Sequence, residues 1–174
     1  MAAYGKPFFE WTNHDRPDAG TTFDGAMRSL SSVAGPLVVK AVDLDGVGSI
    51  CDVGGGTGRL LRSFLDAAPE ARGTVFDLDE VVAGAPDVLG DLPLDRWSAV
   101  GGSFFDAGAV PAGHDRYVMQ AIMHDWGDDQ AGLILRNVRA AMANDSRLWV
   151  SDSILVPEDR DDLSKAVDML MLTL

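Results

Sequence analysis

The chain has one cysteine, Cys51, in 174 residues, so no intramolecular disulfide can form and packing has to carry the fold. Basic residues are scarce: 14 Lys and Arg stand against 27 Asp and Glu. A phosphate backbone is held mainly by basic patches, so this balance argues against DNA or RNA as the substrate. Long apolar runs are missing too. None reaches the roughly 20 residues that cross a bilayer, and the N-terminus lacks the basic start and apolar run of a signal peptide. Only three histidines occur, His14, His114 and His124, and no His/Cys cluster has the spacing to hold a metal. What remains points to a small-molecule protein, expected in the cytoplasm, with length enough for one domain around a real core.

From Val47 onward, short β-like runs alternate with helical stripes. Ser49-Ile50-Cys51-Asp52-Val53 is a compact apolar run that stops at Gly54-Gly55-Gly56-Thr57-Gly58. Leu60, Leu61, Phe64, Leu65 and Ala68 then recur on one helical face, with Pro69 just beyond. Gly73 to Phe76 reads as a second strand ending at Asp77, Val81 to Ala85 as a short helix, and Trp97 to Val100 as a third strand. Tyr117 to Ala121 reads as a fourth. Asp128 is placed to cap the next helix, whose stripe is Ala131, Ile134, Leu135, Val138, Ala141 and Met142. Leu148-Trp149-Val150 leads a fifth strand. Strands separated by crossover helices predict an α/β fold with a parallel sheet covered on both faces. Further stripes fall at Phe23, Met27, Leu30 and Ala34, and at Leu163, Ala166, Val167, Leu170, Met171 and Leu174.

The glycine loop after the first strand is built for a ligand. Glycines let a ligand approach backbone without meeting a Cβ, and the helix that follows offers free N–H groups to an anion. Asp77, ending the next strand, stands where an acidic side chain can accept hydrogen bonds from both ribose hydroxyls. A nucleoside triphosphate would want Gly-Lys-Ser/Thr, but Arg59-Leu60 follow Gly58. A nicotinamide cofactor would want a third glycine where Arg59 stands. The G-x-G-x-G form is similar to the S-adenosylmethionine loop of class I methyltransferases.

Met123-His124-Asp125-Trp126-Gly127-Asp128-Asp129 follows the fourth strand, and parallel sheets bind ligands beyond the carboxyl ends of their strands. An imidazole there can take a proton from an attacking hydroxyl, and its ordinary pKa near 6.5 suits that work. For His14 and His114, packing or capping is the simpler reading. His124 differs because Asp152, ending the fifth strand, is expected on the same rim, where its carboxylate would fix the tautomer. Asp125 and Asp128 read as helix-start and solvation residues.

Asp52 through Gly58, Phe76-Asp77-Leu78, Gly101 through Phe105 and His124-Asp125-Trp126 fall in the order and spacing of one family. Across nearly its whole length the chain resembles the S-adenosylmethionine-dependent small-molecule O-methyltransferases, which include caffeic acid and hydroxyindole methyltransferases and bacterial polyketide-tailoring enzymes. The resemblance implies a class I methyltransferase fold, Rossmann-like and doubly wound, with a mainly parallel sheet truncated at its C-terminal strands. It implies that S-adenosylmethionine is bound by Asp52, Gly54, Gly55, Gly56, Gly58, Asp77, Leu78, Ser103, Phe104 and Gln120. His124 would be the general base with Asp152 as its partner, no metal being needed. Phe23, Met27, Met123, Trp126, Met169 and Met171 would line the pocket of an aromatic small-molecule substrate. Residues 1–46 would be a helical segment packing on that site, and residues 47–174 the incomplete cofactor-binding core.

Some features depart from the family pattern. Ser103 stands where plant members often carry an acidic residue, Gln120 where they carry lysine, and Asp152 where many relatives have glutamate. Relatives also have a winged-helix-like dimerisation domain ahead of this region, and an acidic catalytic-site residue and two strands after it. The chain is therefore read as a fragment cut short at both ends, from relatives that are homodimers, with an open fifth strand that favours self-association. Two further readings compete with methyl transfer to oxygen. One is a non-catalytic cofactor- or partner-binding fragment; the other is a relative diverged to decarboxylation or hydroxylation.

Overall fold

The computed structural model describes residues 35–154 without interruption, together with residues 5, 11, 15, 16, 18–20, 22, 25 and 165. The chain divides into two compact units, Ser31–Asp152 and Met1–Leu30 with Ser153–Leu174. In the second unit, residues 18–20 are helical, and two guanidinium N–H groups of Arg16 hold the Asp18 carboxylate at 2.8 and 2.7 Å. The stripes expected at Phe23 to Ala34 and at Leu163 to Leu174 fall on residues outside those described.

The first unit opens with a helical segment, residues 35–41, and continues as a sheet. Strands β1 (Ser49–Val53), β2 (Arg72–Asp77), β3 (Trp97–Gly101), β4 (Arg116–Gln120) and β5 (Arg147–Ser151) lie in the order β3-β2-β1-β4-β5. Every pair is parallel, with Val53 opposite Phe76 and Asp52 opposite Val118. Helices α1 (Arg59–Ala67), α2 (Asp79–Val82), α3 (Pro86–Leu89) and α4 (Asp128–Ala141) connect them. The order confirms the doubly wound α/β reading. It also places the reversal of winding between β1 and β4, where such sheets open a crevice beyond their strand ends.

Alternation along the strands builds two cores. Ile50, Val75 and Val118 pack with Leu60, Leu61, Phe64 and Leu65 of α1 on one face. Cys51, Val53, Phe76, Tyr117 and Met119 pack with Ile134 and Val138 of α4 on the other. Each fully buried large apolar side chain contributes about 1.5–3 kcal/mol, which holds the strand ends, and the loops on them, in fixed register. Arg96 closes the far end of α1: its guanidinium donates to the carbonyls of Leu65, Ala68 and Ala71 at 2.9–3.2 Å, and Leu65 lies in the last turn, where carbonyls lack intrahelical partners.

Several local expectations need correction. The short helix begins at Asp79 rather than Val81, because Asp79 and Glu80 favour a helix N-terminus, and a separate turn starts at Pro86. The fourth strand stops at Gln120 because Ala121 has a φ of 56°, which no strand residue adopts. Asp128 does not cap α4; Gly127 occupies that position and Asp128 is the first helical residue. Leu135 sits on the solvent side of α4, 38% exposed, while Ile134 and Val138 carry the buried stripe.

Candidate functional site

The glycine loop runs from the end of β1 into α1. Gly54 (φ 71°) lies against Ile122, whose Cδ1 would stand 2.5 Å from any Cβ added there. That contact ties the loop to the segment after β4, across the winding reversal. Gly56 (φ 60°) has open space where a Cβ would project, so the loop presents bare backbone outward. Gly58 precedes α1 and provides no side-chain cap, and no acidic residue lies in the helix's first turn.

Two carboxylates brace this loop. Asp77 Oδ2 accepts the Gly56 N–H and Oδ1 the Leu78 N–H, both at 2.8 Å. Burial pushes the Asp77 carboxyl above its ordinary value, against the pull of those two N–H groups. Each oxygen keeps a second lone pair for a ligand hydroxyl. Asp52 lies beneath the loop, 1% exposed, with Oδ2 accepting the Leu61 N–H at 3.2 Å. Burial there raises the carboxyl to about 7, and the Asp77 charge adds to the rise.

Beyond β4 the chain turns through Ala121 into a 3₁₀ turn, Met123–Asp125. Asp152, just past β5, organises that turn. Its Oδ2 accepts the N–H groups of Met123 and His124 at 2.9 and 3.3 Å, and its Oδ1 lies 2.5 Å from His124 Nδ1. The two side chains are 26% and 14% exposed. The expected His124–Asp152 pair is thus brought together. On the other ring nitrogen, Asp125 Oδ1 stands 3.3 Å from Nε2, and burial raises the Asp125 carboxyl. Sequence reasoning had set Asp125 aside as a solvation residue; its adjacency to histidine was the available signal, but only the tight turn brings its carboxylate to Nε2.

An aromatic cluster flanks the same rim. Phe104, Phe105 and Trp126 meet edge to face, with ring centroids 4.7–5.9 Å apart. Phe104 reaches the loop, within 3.6 Å of where a Gly54 Cβ would be, and Ser103 Oγ accepts the Phe105 N–H at 3.2 Å. Phe105 was missed by sequence reasoning, although it follows Phe104 directly. Leu78 is 44% exposed after β2, and Gln120 ends β4 opposite Ser151. Met123 packs against the α4-side core together with Trp126. Phe23, Met27, Met169 and Met171 lie outside the described residues. His114 is a structural histidine, with Nε2 2.9 Å from Thr74 Oγ1. Among the described residues no group of three or more His, Cys, Asp or Glu is placed to hold a metal, and no helix is long and apolar enough to cross a membrane.

Comparison with known proteins follows this geometry closely. A sequence model of the O-methyltransferase domain matches residues 1–174. The mitomycin biosynthesis 6-O-methyltransferase of Streptomyces lavendulae is 37% identical over 174 residues, which cover 99% of this chain and 48% of the relative. Among solved structures, the mitomycin 7-O-methyltransferase MmcR superposes with a TM-score of 0.89 at 38% identity, over 99% of this chain and 50% of that one. An O-methyltransferase from neocarzinostatin biosynthesis, in complex with S-adenosyl-L-homocysteine and 1,4-dihydroxy-2-naphthoic acid, gives a TM-score of 0.83 at 33% identity, over 98% and 50%. The chain spans about half the length of the relatives it matches.

Proposed function

The chain belongs to the O-methyltransferase domain family, and on that premise we propose that it transfers a methyl group from S-adenosylmethionine to a hydroxyl of an aromatic or polyketide-type small molecule, with His124 as general base. The observation that carries this reading is the His124–Asp152 pair, set on the rim of a parallel sheet beside an open glycine loop.

The residues present fit the cofactor. Gly56 leaves space where a side chain would intrude, and the uncapped first turn of α1 suits a carboxylate. Asp77 has lone pairs for ribose hydroxyls, and Leu78, Ser103 and Phe104 are the residues that would flank the adenine. When bound, S-adenosylmethionine supplies an electrophilic methyl group on a cationic sulfur. Asp152 accepts the Nδ1–H of His124, which leaves Nε2 unprotonated, with Asp125 Oδ1 at its side. Nε2 would take the proton of the acceptor hydroxyl as that oxygen gained the methyl group, the carbon–sulfur bond breaking and the neutral thioether leaving. The imidazolium that forms then lies between Asp152 and Asp125, both placed to stabilise it. The Phe104–Phe105–Trp126 cluster helps keep water from the reacting atoms.

A phenolic acceptor fits this chemistry, and the neocarzinostatin relative was solved with a dihydroxynaphthoic acid. Self-association and a cytoplasmic setting belong to the same proposal. The test is to incubate the protein with S-adenosylmethionine and a panel of phenols and weigh the products. Gain of one CH₂ unit on oxygen, lost in His124→Ala, is the expected result; loss of carbon dioxide or gain of oxygen would indicate a different reaction.

A further inference from the structure

Asp52 is the one carboxylate among the described residues that is sealed from solvent, and it lies against the loop. The loop rests directly on it: a Cβ added to Gly55 would lie 2.5 Å from Asp52 Cγ and 2.6 Å from its Oδ2. Its hydrogen bond is the Leu61 N–H at 3.2 Å. The neighbours opposite it in the sheet, Val75 and Val118, are apolar. The titratable groups that bear on it are the thiol of Cys51 beside it in β1 and the Asp77 carboxyl at the end of β2, behind which stands Glu80. On the α1 side, Arg62 is held by Asp66 and Asp91, and among the described residues no cation bears on the buried carboxylate.

A buried carboxylate without a counter-charge is unfavourable unless a positive charge arrives from outside the protein. The ligand proposed above carries one. S-adenosylmethionine has a sulfonium, whereas its product S-adenosylhomocysteine has a neutral thioether, and the two share every other charged group. Resting on that cofactor reading, we propose that Asp52 is a charge-responsive positioning residue beneath the glycine loop, ionised when the sulfonium is bound and protonated when the thioether remains.

The consequence is a linkage between cofactor binding and a proton. With its carboxyl raised to about 7 by burial and by Asp77, Asp52 is partly protonated in the free protein near neutrality. Arrival of the sulfonium lowers that value and expels the proton to solvent. An acid whose pKa falls on binding makes affinity rise with pH. The gain is present above the free-state value and lost as pH falls through the bound-state one. A fall of about one unit corresponds to about tenfold in affinity. S-adenosylhomocysteine lacks this gain, so methyl transfer itself weakens the hold on the spent cofactor relative to the fresh one.

Isothermal titration with S-adenosylmethionine and with S-adenosylhomocysteine, between about pH 6 and pH 8 and in two buffers of different ionisation enthalpy, tests this. The expected result is that S-adenosylmethionine binds about fivefold tighter at pH 8 than at pH 6, most of the tenfold that a one-unit fall allows, and releases a larger fraction of a proton than S-adenosylhomocysteine. In Asp52→Asn, which keeps an oxygen for the Leu61 N–H, the two ligands are expected to show the same pH profile. Equal proton release by both ligands in the unmodified protein would overturn the inference without any variant. So would a folded Asp52→Asn protein that keeps the difference. Failure of both ligands to bind at any pH would overturn the cofactor reading and the inference with it, whereas binding of both without a difference overturns the inference alone.

Discussion

Replacing Asp152 by asparagine separates the geometry of the site from its chemistry. Asp152 Oδ2 accepts two backbone N–H groups, from Met123 and His124, while Oδ1 faces His124 Nδ1 at 2.5 Å. An asparagine there must point its single oxygen at those backbone groups, since turning the amide over would set N–H against N–H. Its NH₂ then faces Nδ1, which can satisfy it only by giving up its proton. The proton moves to Nε2, and the imidazole can no longer accept one from a substrate hydroxyl. A comparable swap of an orienting carboxylate for an amide slows a histidine base by about 10⁴-fold. Here we expect a fall of roughly 10³–10⁴-fold in turnover, or about 4–5.5 kcal/mol of transition-state stabilisation. Stability should change far less, by about 1–2 kcal/mol for a weakened charge-assisted hydrogen bond. Methyl-transfer kinetics, thermal unfolding and the ¹⁵N shifts of the imidazole would be read together. Turnover within tenfold of the unmodified protein, with the fold intact and Nε2 protonated, would refute the base assignment.

The remaining predictions concern the frame around that pair. Arg96→Ala removes the guanidinium donor from the carbonyls of Leu65, Ala68 and Ala71, leaving Ala68 its bond from the Ala71 N–H; a loss of about 2–4 kcal/mol is expected in denaturant titration, and a loss below about 1 kcal/mol would show that water replaces the guanidinium. Gly54→Ala places a methyl 2.5 Å from Ile122 Cδ1 at a φ of 71°; strain and overpacking should together cost about 2–4 kcal/mol, partly recovered by adding Ile122→Ala, and no recovery would place the strain in the backbone alone. Burial raises Asp52 to about 7, so its contribution to the stability of the ligand-free protein is present below its unfolded value and lost as pH rises through about 7. Asp52→Asn should therefore gain on the unmodified protein by roughly 1–4 kcal/mol between pH 4 and pH 8 in thermal unfolding; a pH-independent difference would contradict that burial.

Much of this arrangement could be read from the residues because the three inner strands, β1, β2 and β4, are buried on both faces. Ser49–Val53 and the stretch from Tyr117 appear as short, mainly apolar runs because the middles of their strands meet no water on either face. In a parallel sheet ligands bind beyond the ends of such strands, so Asp77, His124 and Asp152 were legible as strand-end residues, and the structure puts all three on that rim. What stayed hidden depends on backbone torsion and on contacts between distant segments. Ala121 carries no sequence mark of a positive φ, yet its bend ends β4 and starts the turn that carries His124. The approach of Asp125 to Nε2 follows from that turn. The seat of Ile122 on Gly54 requires two segments far apart in the chain. Asp52 illustrates the difference: its place in the glycine motif was legible, while its burial beneath Gly55 depends on how the loop folds back over β1.

The most direct measurement supplies the protein with S-adenosylmethionine carrying a deuterated methyl group and a phenolic acceptor, and locates the label in the product by mass spectrometry and NMR, with His124→Ala alongside. The account predicts a deuterated methyl ether on a former hydroxyl, formed by the unmodified protein and all but abolished in the variant. Label on carbon or nitrogen, or transfer to oxygen that survives the loss of His124, would contradict it.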